Sequence, residues 1–459
     1  MTPWLARSVY RLQEAALGRA TFPYLAELER SQWLSRPELE ALQARKLNRL
    51  LQKALAHSPW HAARMRNAGL ADQAAAGALT LADLARLPTM DKADARRHVE
   101  ELVWRGVPGG SFRYNTGGSW GEPLIFYYGR DRQASDAAGR MRARRWWGVE
   151  AGEREAYLWG APVELSKTDR VKTLRDRLVN QLVLNAFAMS SARMDEYLSA
   201  LAAWQPSCLY GYASSVALLA AHAEARGIKP ALRRLKVVCT TGEPLYPHQR
   251  ELIGRVFGVP VANEFGSRDI GFTAHEAPGG VLLLTSESHI LEVLDSAGLP
   301  VPLGASGEAV VTGLTSLAQP FIRYRTGDVV RLAPAQDSGG RGLHAIAEVS
   351  GRQTDFVVRE DGALMHALAV IYVLRAVEGV EQFKCIQHSA LLMEVLVVPG
   401  PAWSDAARAA VVAGLGARLG TRVEVAVREV ADIPPEASGK HRYVVSHVQL
   451  AAELRQAAA

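Results

Sequence analysis

Cysteine is scarce in this chain and forms no pattern where it occurs. Cys208, Cys239 and Cys385 are the only three. They lie far apart and match neither a zinc-site spacing nor a disulfide framework. Each sits in an apolar, strand-like stretch, which reads as a buried free thiol. Long apolar runs are missing too: none reaches the roughly 18–20 residues that a membrane-spanning helix needs. Residues 1–22 mix Arg7, Arg11, Glu14 and Arg19 into their apolar side chains. They lack the apolar core of a secretion signal. The expectation is a cytoplasmic protein with no transmembrane segment. A strong charge bias is also missing. Lys and Arg number 53 against 47 Asp and Glu, a net +6. No basic stripe with interleaved aromatics accompanies that excess, which argues against a nucleic-acid partner. The one tight cationic cluster, Arg142, Arg144 and Arg145, reads as a solvated helix face. There is no internal repeat and no long low-complexity tract.

What is present is an ordinary globular composition spread over more chain than one core holds. Apolar residues make up 48% and charged residues 22%, as in soluble domains. At 459 residues two or three domains are expected. The first hundred residues read as helices, with Leu42, Leu47, Leu50, Leu51 and Leu55 at helical spacing in a long segment, 39–68. From about residue 110 strands and helices alternate. Strands are expected at 111–114, 124–128, 156–159, 207–210, 235–239 and 259–265. Helices are expected at 131–147, 198–204, 214–226 and 247–257. Such alternation implies a largely parallel sheet covered by helices.

After Gly279 the texture changes to short strands at 281–284, 290–294, 309–312 and 329–332, separated by turn residues. This predicts an antiparallel sub-barrel over about 280–350. A small α+β unit follows, with helices at 366–377 and 405–419 and strands at 382–387, 391–398 and 422–427. The fold class is therefore α/β, with a large N-terminal domain over 1–350 and a small C-terminal domain over 351–459. The expected hinge is 350–355.

Five segments carry chemical character. The first, 114–123, reads Tyr-Asn-Thr-Gly-Gly-Ser-Trp-Gly-Glu-Pro. Its glycines let the backbone turn N–H groups toward an anion. The second is Thr240-Thr241-Gly242-Glu243-Pro244 and the third Asn263-Glu264-Phe265-Gly266-Ser267-Arg268-Asp269. Both follow expected strands, at the carboxyl ends where open α/β sheets bind ligands. The fourth is Ile322-Arg323-Tyr324-Arg325-Thr326-Gly327-Asp328. The fifth is Gly351-Arg352 with Asp355, and beyond it Ser438-Gly439-Lys440-His441-Arg442. A nucleotide needs an apolar surface for its base, acceptors for ribose hydroxyls, donors for phosphates and a carboxylate for Mg²⁺. Phe265, Asp328, the glycine loop with Lys440, and Asp269 could supply these in turn. Singly, each has a structural reading: Asp328 could close a turn, Phe265 could be core, Asp269 could cap a helix beginning near Ile270, and Arg352 and Lys440 could be solvated.

In this order the segments resemble the core motifs of the adenylate-forming superfamily of acyl- and aryl-CoA synthetases. The spelling is most similar to the phenylacetate–coenzyme A ligases and their capsular-polysaccharide-biosynthesis relatives. The resemblance runs from Thr116 to Arg442. It implies an ATP-dependent ligase that forms an acyl-AMP from a small-molecule carboxylate, releases pyrophosphate and passes the acyl group to a thiol or an amine. Thr116, Gly117, Gly118, Ser119 and Gly121 would wrap the β- and γ-phosphates. Gly242, Glu243 and Pro244 would line the adenine slot beside Asn263, Glu264, Gly266 and Ser267, with Phe265 stacking on the base. Asp269 would bind Mg²⁺, Asp328 the ribose, and Arg352 the ribose or phosphate. Lys440 would reach the α-phosphate and the substrate carboxylate, then swing away as the C-terminal domain rotates.

The sequence departs from the pattern in places. Trp120 replaces a small hydroxylated residue. Asp269 replaces a glutamate one methylene longer, which allows a water-mediated metal contact. Residues 273–276 carry no cysteine where some relatives hold a metal cluster, so no zinc is expected. For the acyl pocket the candidates are Trp159, Gly160, Tyr210 and Tyr212, whose rings could stack on an aryl or sugar ring or could be core aromatics. Three functions stay open: a ligase using coenzyme A as in phenylacetate catabolism, an amide-forming ligase in surface-glycan synthesis, and a nucleotide-binding homologue with little catalysis. The acid, the acceptor and the oligomeric state are left open.

Overall fold

The computed structural model describes residues 1–115, 124–159, 175–186, 189–243, 245–295, 297–334, 339–349, 356–433 and 443–448. The helical N-terminal segment is as expected, but the long helix is two: Arg36–His57 and Pro59–Asn67. Ser58 is extended (φ −124°, ψ 97°), because a residue before proline is pushed out of the helical region. The first of the pair starts on a capping box, Ser35 N and Oγ donating to Glu38 Oε2 at 2.8 and 2.6 Å, which satisfies donors the helix leaves open. Leu39, Leu47, Leu50, Leu51 and Ala54 form its buried stripe.

An eleven-stranded sheet dominates the molecule. Two strands outside it, β1 (Phe112–Asn115) and β2 (Ile125–Tyr128), pair antiparallel on either side, in sequence, of residues 116–123. The sheet's parallel part runs β4 (Gln181–Leu184), β3 (Glu155–Leu158), β5 (Cys208–Tyr212), β6 (Val237–Thr241), β7 (Val261–Ser267). Its central strands β5 and β6 are buried along their whole length, on both faces, as the parallel part of a covered sheet is. The helix Arg130–Trp146 lies across one face, while Ala213–Ala225 and Pro247–Phe257 pack against the sheet beside β5, β6 and β7.

The expected sub-barrel is continuous with this sheet. After β7 the direction reverses through β8 (Gly271–Ala277) and β9 (Val281–Leu284), then β13 (Ala345–Val349), β12 (Tyr324–Leu332), β11 (Ser306–Gly313) and β10 (His289–Leu294). These strands curl around one apolar cluster containing Phe265, Leu284, Val293, Val330 and Ile346. The residues after Asp269 are strand, so Asp269 does not cap a helix there.

A second, four-stranded sheet holds β18 (Glu424–Glu429), β17 (Leu392–Pro399), β16 (Val380–Ser389) and β19 (Val444–Ser446). Val411, Leu415 and Leu419 of the helix Asp405–Leu419 join Cys385, Val395 and Val397 in its core. Gln387 is fully buried and ties this sheet to the hairpin of β14 (Phe356–Val358) and β15 (Leu364–His366): its amide donates to Val358 O and accepts from Val358 N and Ser446 Oγ.

One charge reading is corrected. Arg142 and Arg144 do not lie on a solvated face. Arg142 is buried against Glu287 at 2.5 Å, and Arg144 is buried against Glu155. The carboxylates come from strands and loops 11 and 145 residues away, so the run of arginines alone does not show them. Only Arg145, which reaches Glu29 and Glu150, is partly exposed. The three cysteines are buried thiols, with Cys208 and Cys239 side by side on β5 and β6, Sγ to Sγ 3.7 Å.

Candidate active site

The C-terminal ends of β5, β6 and β7 converge on one corner of the sheet. At the end of β6 the chain turns at Gly242, whose φ is +79°. A Cβ there would stand 3.2 Å from Cδ1 and Cε1 of Tyr212. Glycine is thus needed twice, for the backbone angle and for the flat space beside the tyrosine ring. Glu243 accepts the Ser214 backbone N–H at 3.0 Å, holding the start of the helix Ala213–Ala225 against this turn.

Behind the turn lies a polar layer between the sheet and the helix Arg130–Trp146. Glu264 Oε1 accepts from Tyr210 Oη at 2.8 Å and Thr241 Oγ1 at 3.1 Å, and Arg140 Nε approaches its Oε2 at 3.8 Å. Burial, then the facing Glu264, push the Tyr210 hydroxyl well above its usual range, so it remains a donor. Farther along, Arg144 pairs with Glu155, and Tyr157 Oη lies 3.0 Å from Arg144 and 2.7 Å from Glu155. Trp159 closes the corner, stacked on Tyr212 at 4.3 Å and tilted over Tyr210 at 5.8 Å.

On the other face of β7, Asn263 and Phe265 point away from this layer, as strand alternation requires. Phe265 is 7% exposed and packs into the apolar cluster of the curled strands. Asn263 Oδ1 is buried with no hydrogen-bond partner among the described residues. Beyond Gly266, Asp269 receives Ser267 Oγ on Oδ1 and Tyr324 Oη on Oδ2, the latter at 2.8 Å. The Arg132 guanidinium donates to the carbonyl oxygens of Arg268 and Asp269 at 2.5 and 2.6 Å, fixing the turn.

The fourth motif opens β12. Arg323 has φ +55° and is buried, bonded to Glu292 at 2.9 Å and to the carbonyls of Ala85 and Leu87. Met90 N and O bond Arg323 O and Arg325 N, which ties the N-terminal helices to this strand. Thr326-Gly327-Asp328 forms a bulge opposite Ala309, between the pairs Glu308–Val329 and Val310–Arg325, with Gly327 at φ +76° and Glu308 Oε1 accepting its N–H. The half-buried Asp328 thus sits on a strand bulge, a device that re-aims a side chain.

The structure brings together Gly242, Glu243, Asn263, Glu264, Phe265, Gly266, Ser267 and Asp269 with Trp159, Tyr210 and Tyr212 at adjacent strand ends. Thr116, Gly117, Gly118, Ser119, Gly121, Gly160, Pro244, Arg352 and Lys440 lie outside the described residues. Sequence reasoning missed Arg140 and Arg132 as side chains of this corner, and quoted Thr241 in a motif without giving it a role. Tyr324 lay within a quoted motif but had no role assigned.

Comparison with known proteins follows the same lines. Residues 357–447 match the model of the CapK C-terminal domain. Protein CapK of Staphylococcus aureus is 22% identical over 375 residues, covering 81% of this chain and 82% of that one. The phenylacetate-coenzyme A ligase of Aromatoleum evansii is 25% identical over 348 residues, covering 73% and 75%. Among solved structures, a 2-hydroxyisobutyryl-CoA ligase in complex with 2-HIB-AMP and CoA covers 93% of both chains at 20% identity, with a TM-score of 0.61. These similarities are consistent with the adenylate-forming superfamily that the motifs resemble. The chain shares its fold, with the large mixed sheet and the smaller sheet that follows it, with that ligase.

Proposed function

We propose that the chain is an ATP-dependent ligase that activates a carboxylic acid as its acyl-AMP and then transfers the acyl group to a nucleophile. The observation that carries this reading is the hydrogen bond from Tyr324 to Asp269, which joins two distant motifs beyond the end of β7, the strand paired with β6, whose end carries the Gly242 turn. Similarity to phenylacetate-coenzyme A ligases over about three quarters of the chain supports it.

The residues present suit a nucleotide. Gly242 leaves a flat space that a Cβ would fill. Asn263 Oδ1 is a buried acceptor still lacking a donor among the described residues, as an adenine amino group would be. Phe265 would meet the base through the small part of its ring left exposed. Asp328 would accept from the ribose, and the loop 116–121 with Arg352 would hold phosphate. Asp269 would hold Mg²⁺, directly or through water, since each of its oxygens keeps a second lone pair. The ion when bound would neutralise charge on the phosphate oxygens.

In the first half-reaction the substrate carboxylate forms a bond to the α-phosphorus, and pyrophosphate leaves. Lys440 would offset the charge that builds there. Tyr443, three positions on, packs against Phe383 at 5.0 Å and is followed by β19 of the small sheet. Lys440 would therefore travel with that sheet, over residues 351–459, in a hinge rotation between half-reactions. In the second half-reaction the acceptor attacks the acyl carbon and AMP leaves. Coenzyme A is the acceptor favoured by the phenylacetate-coenzyme A ligase relatives. An amine acceptor in surface-glycan synthesis is the alternative, resting on the capsule-type spelling of the motifs. Mass spectrometry of products formed from ATP, a panel of acids, and either coenzyme A or amines tests both. An acyl-thioester supports the first acceptor and an amide the second; ATP left unconsumed with every acid contradicts the ligase reading.

A further inference from the structure

Arg140 stands out in the layer between helix and sheet. Its guanidinium lies 5.6 Å from the ring centre of Phe272 and 5.9 Å from that of Tyr210, so it points inward to β5 and β8. The residues beside it on the helix, Ala138, Met141 and Ala143, are buried. Yet the Arg140 side chain is 36% exposed. The side chain thus keeps accessible surface while its guanidinium faces Tyr210 and lies near Glu264. Arg140 Nε is buried without a hydrogen-bond partner among the described residues, and 3.8 Å to Glu264 is too long to count as one.

The opposite wall is complementary. Glu264 spends Oε1 on Tyr210 and Thr241. Among the described residues its Oε2 is approached by Arg140 alone, at 3.8 Å. Tyr210 and Trp159 add aromatic faces. The neighbouring Arg144 spends Nη1 on Glu155 and Tyr157, while its Nε and Nη2 are buried without partners among the described residues. Arg140 and Arg144 against Glu264 and Glu155 already balance in charge. A second carboxylate on a ligand would leave this buried layer net negative, which is costly. A neutral hydroxyl meets both needs, accepting from Arg140 while donating to Glu264 Oε2.

We propose that Arg140 and Glu264 form the distal end of the acyl pocket and select a hydroxylated carboxylic acid over its deoxygenated counterpart. This rests on the reading of the protein as a carboxylate-activating enzyme. A site built to bond a hydroxyl discriminates strongly against the analogue lacking it, because its polar groups are then left unpaired.

The test is equilibrium binding by calorimetry with matched acids: 4-hydroxyphenylacetate against phenylacetate, and a polyhydroxylated cyclohexanecarboxylate against cyclohexanecarboxylate. Wild-type protein is expected to bind the hydroxylated member of at least one pair about tenfold or more tightly. In Arg140→Met that ratio falls toward one, and in Arg140→Lys, which keeps the charge, it stays between the two. Glu264→Gln, which keeps an acceptor for Tyr210, lowers the ratio as well. Thermal unfolding of each variant checks that the fold is retained. Equal or tighter binding of both deoxygenated acids by the wild type would overturn the proposal, as would an unchanged ratio in folded Arg140→Met. Pyrophosphate release is measured in parallel. Its absence alongside a clear hydroxyl preference would contradict the adenylation reading and leave the pocket assignment standing. Release without any preference would do the reverse.

Discussion

Tyr324 donates its hydroxyl to Asp269 Oδ2 at 2.8 Å, across 55 residues of sequence. The tyrosine is held at the start of β12 by Met90, and the aspartate by Ser267 and the Arg132-clamped turn. If Asp269 holds Mg²⁺, Tyr324 orients a metal ligand from outside the coordination sphere. Removing such a partner typically costs about 10–100-fold in metal affinity or activity. Tyr324→Phe is expected to raise the Mg²⁺ concentration for half-maximal pyrophosphate release by that order. An unchanged Mg²⁺ titration would separate Tyr324 from the metal.

Gly242 links backbone strain to the nucleotide. An alanine at φ +79° costs on the order of 1–2 kcal/mol, and its methyl meets the Tyr212 ring. Gly242→Ala is expected to lower the denaturation midpoint modestly and to raise the KM for ATP more than it alters that for the acid. Equal effects on both would point to general destabilisation.

Buried histidines set a pH limit on stability. Burial, aided by the Arg64 charge, lowers His61 to about 3, and burial lowers His344 to about 4. His275 and His289 are lowered by burial as well. These groups stay neutral in the fold, whereas the unfolded chain takes up protons below about 6.5. Stability is therefore intact above that pH and falls as pH drops from about 6.5 toward 3. Each such group contributes a slope of up to about 1.4 kcal/mol per pH unit. Urea unfolding at pH 7.5 and pH 5.5 measures this, and His61→Gln should flatten the fall.

The pair Arg142–Glu287 is fully buried, with side-chain exposures of 1% and 0%. Removing one partner strands the other, at a cost of about 3–5 kcal/mol. Arg142→Met and Glu287→Gln should each destabilise by that order, and the double variant by much less than their sum. Urea unfolding of the four proteins reads the coupling; additive losses would mean that the two charges do not depend on each other.

Periodicity made most of the architecture legible. The helices Pro247–Phe257 and Asp405–Leu419 begin and end where the sequence pattern places them. Strands β5 to β7 lie within about two residues of expectation because apolar runs between turn residues define them. β8 was not legible: Gly271–Ala277 carries His275 and Glu276, and its full burial depends on Trp147, Arg250 and Asn263 satisfying or pairing its polar atoms. The site followed the same rule. Motif residues on strand ends were visible as motifs. Arg140 was not, because an arginine in a helix reads as surface until the sheet beneath it is known. Phe265 could be read as stacking platform or core, and its packing against Leu284 and Val330 shows a core contribution that the motif alone does not reveal.

The central claim is that this chain forms an acyl-adenylate with the help of Lys440. Acid-dependent exchange of labelled pyrophosphate into ATP tests it most directly, because exchange reports the first half-reaction without any acceptor. Wild-type protein should catalyse exchange that requires a carboxylic acid, and Lys440→Ala should lose on the order of 10²–10³ of that rate while retaining its thermal unfolding temperature. Exchange that is undiminished in Lys440→Ala, or absent from the wild type with every acid tried, would contradict the account.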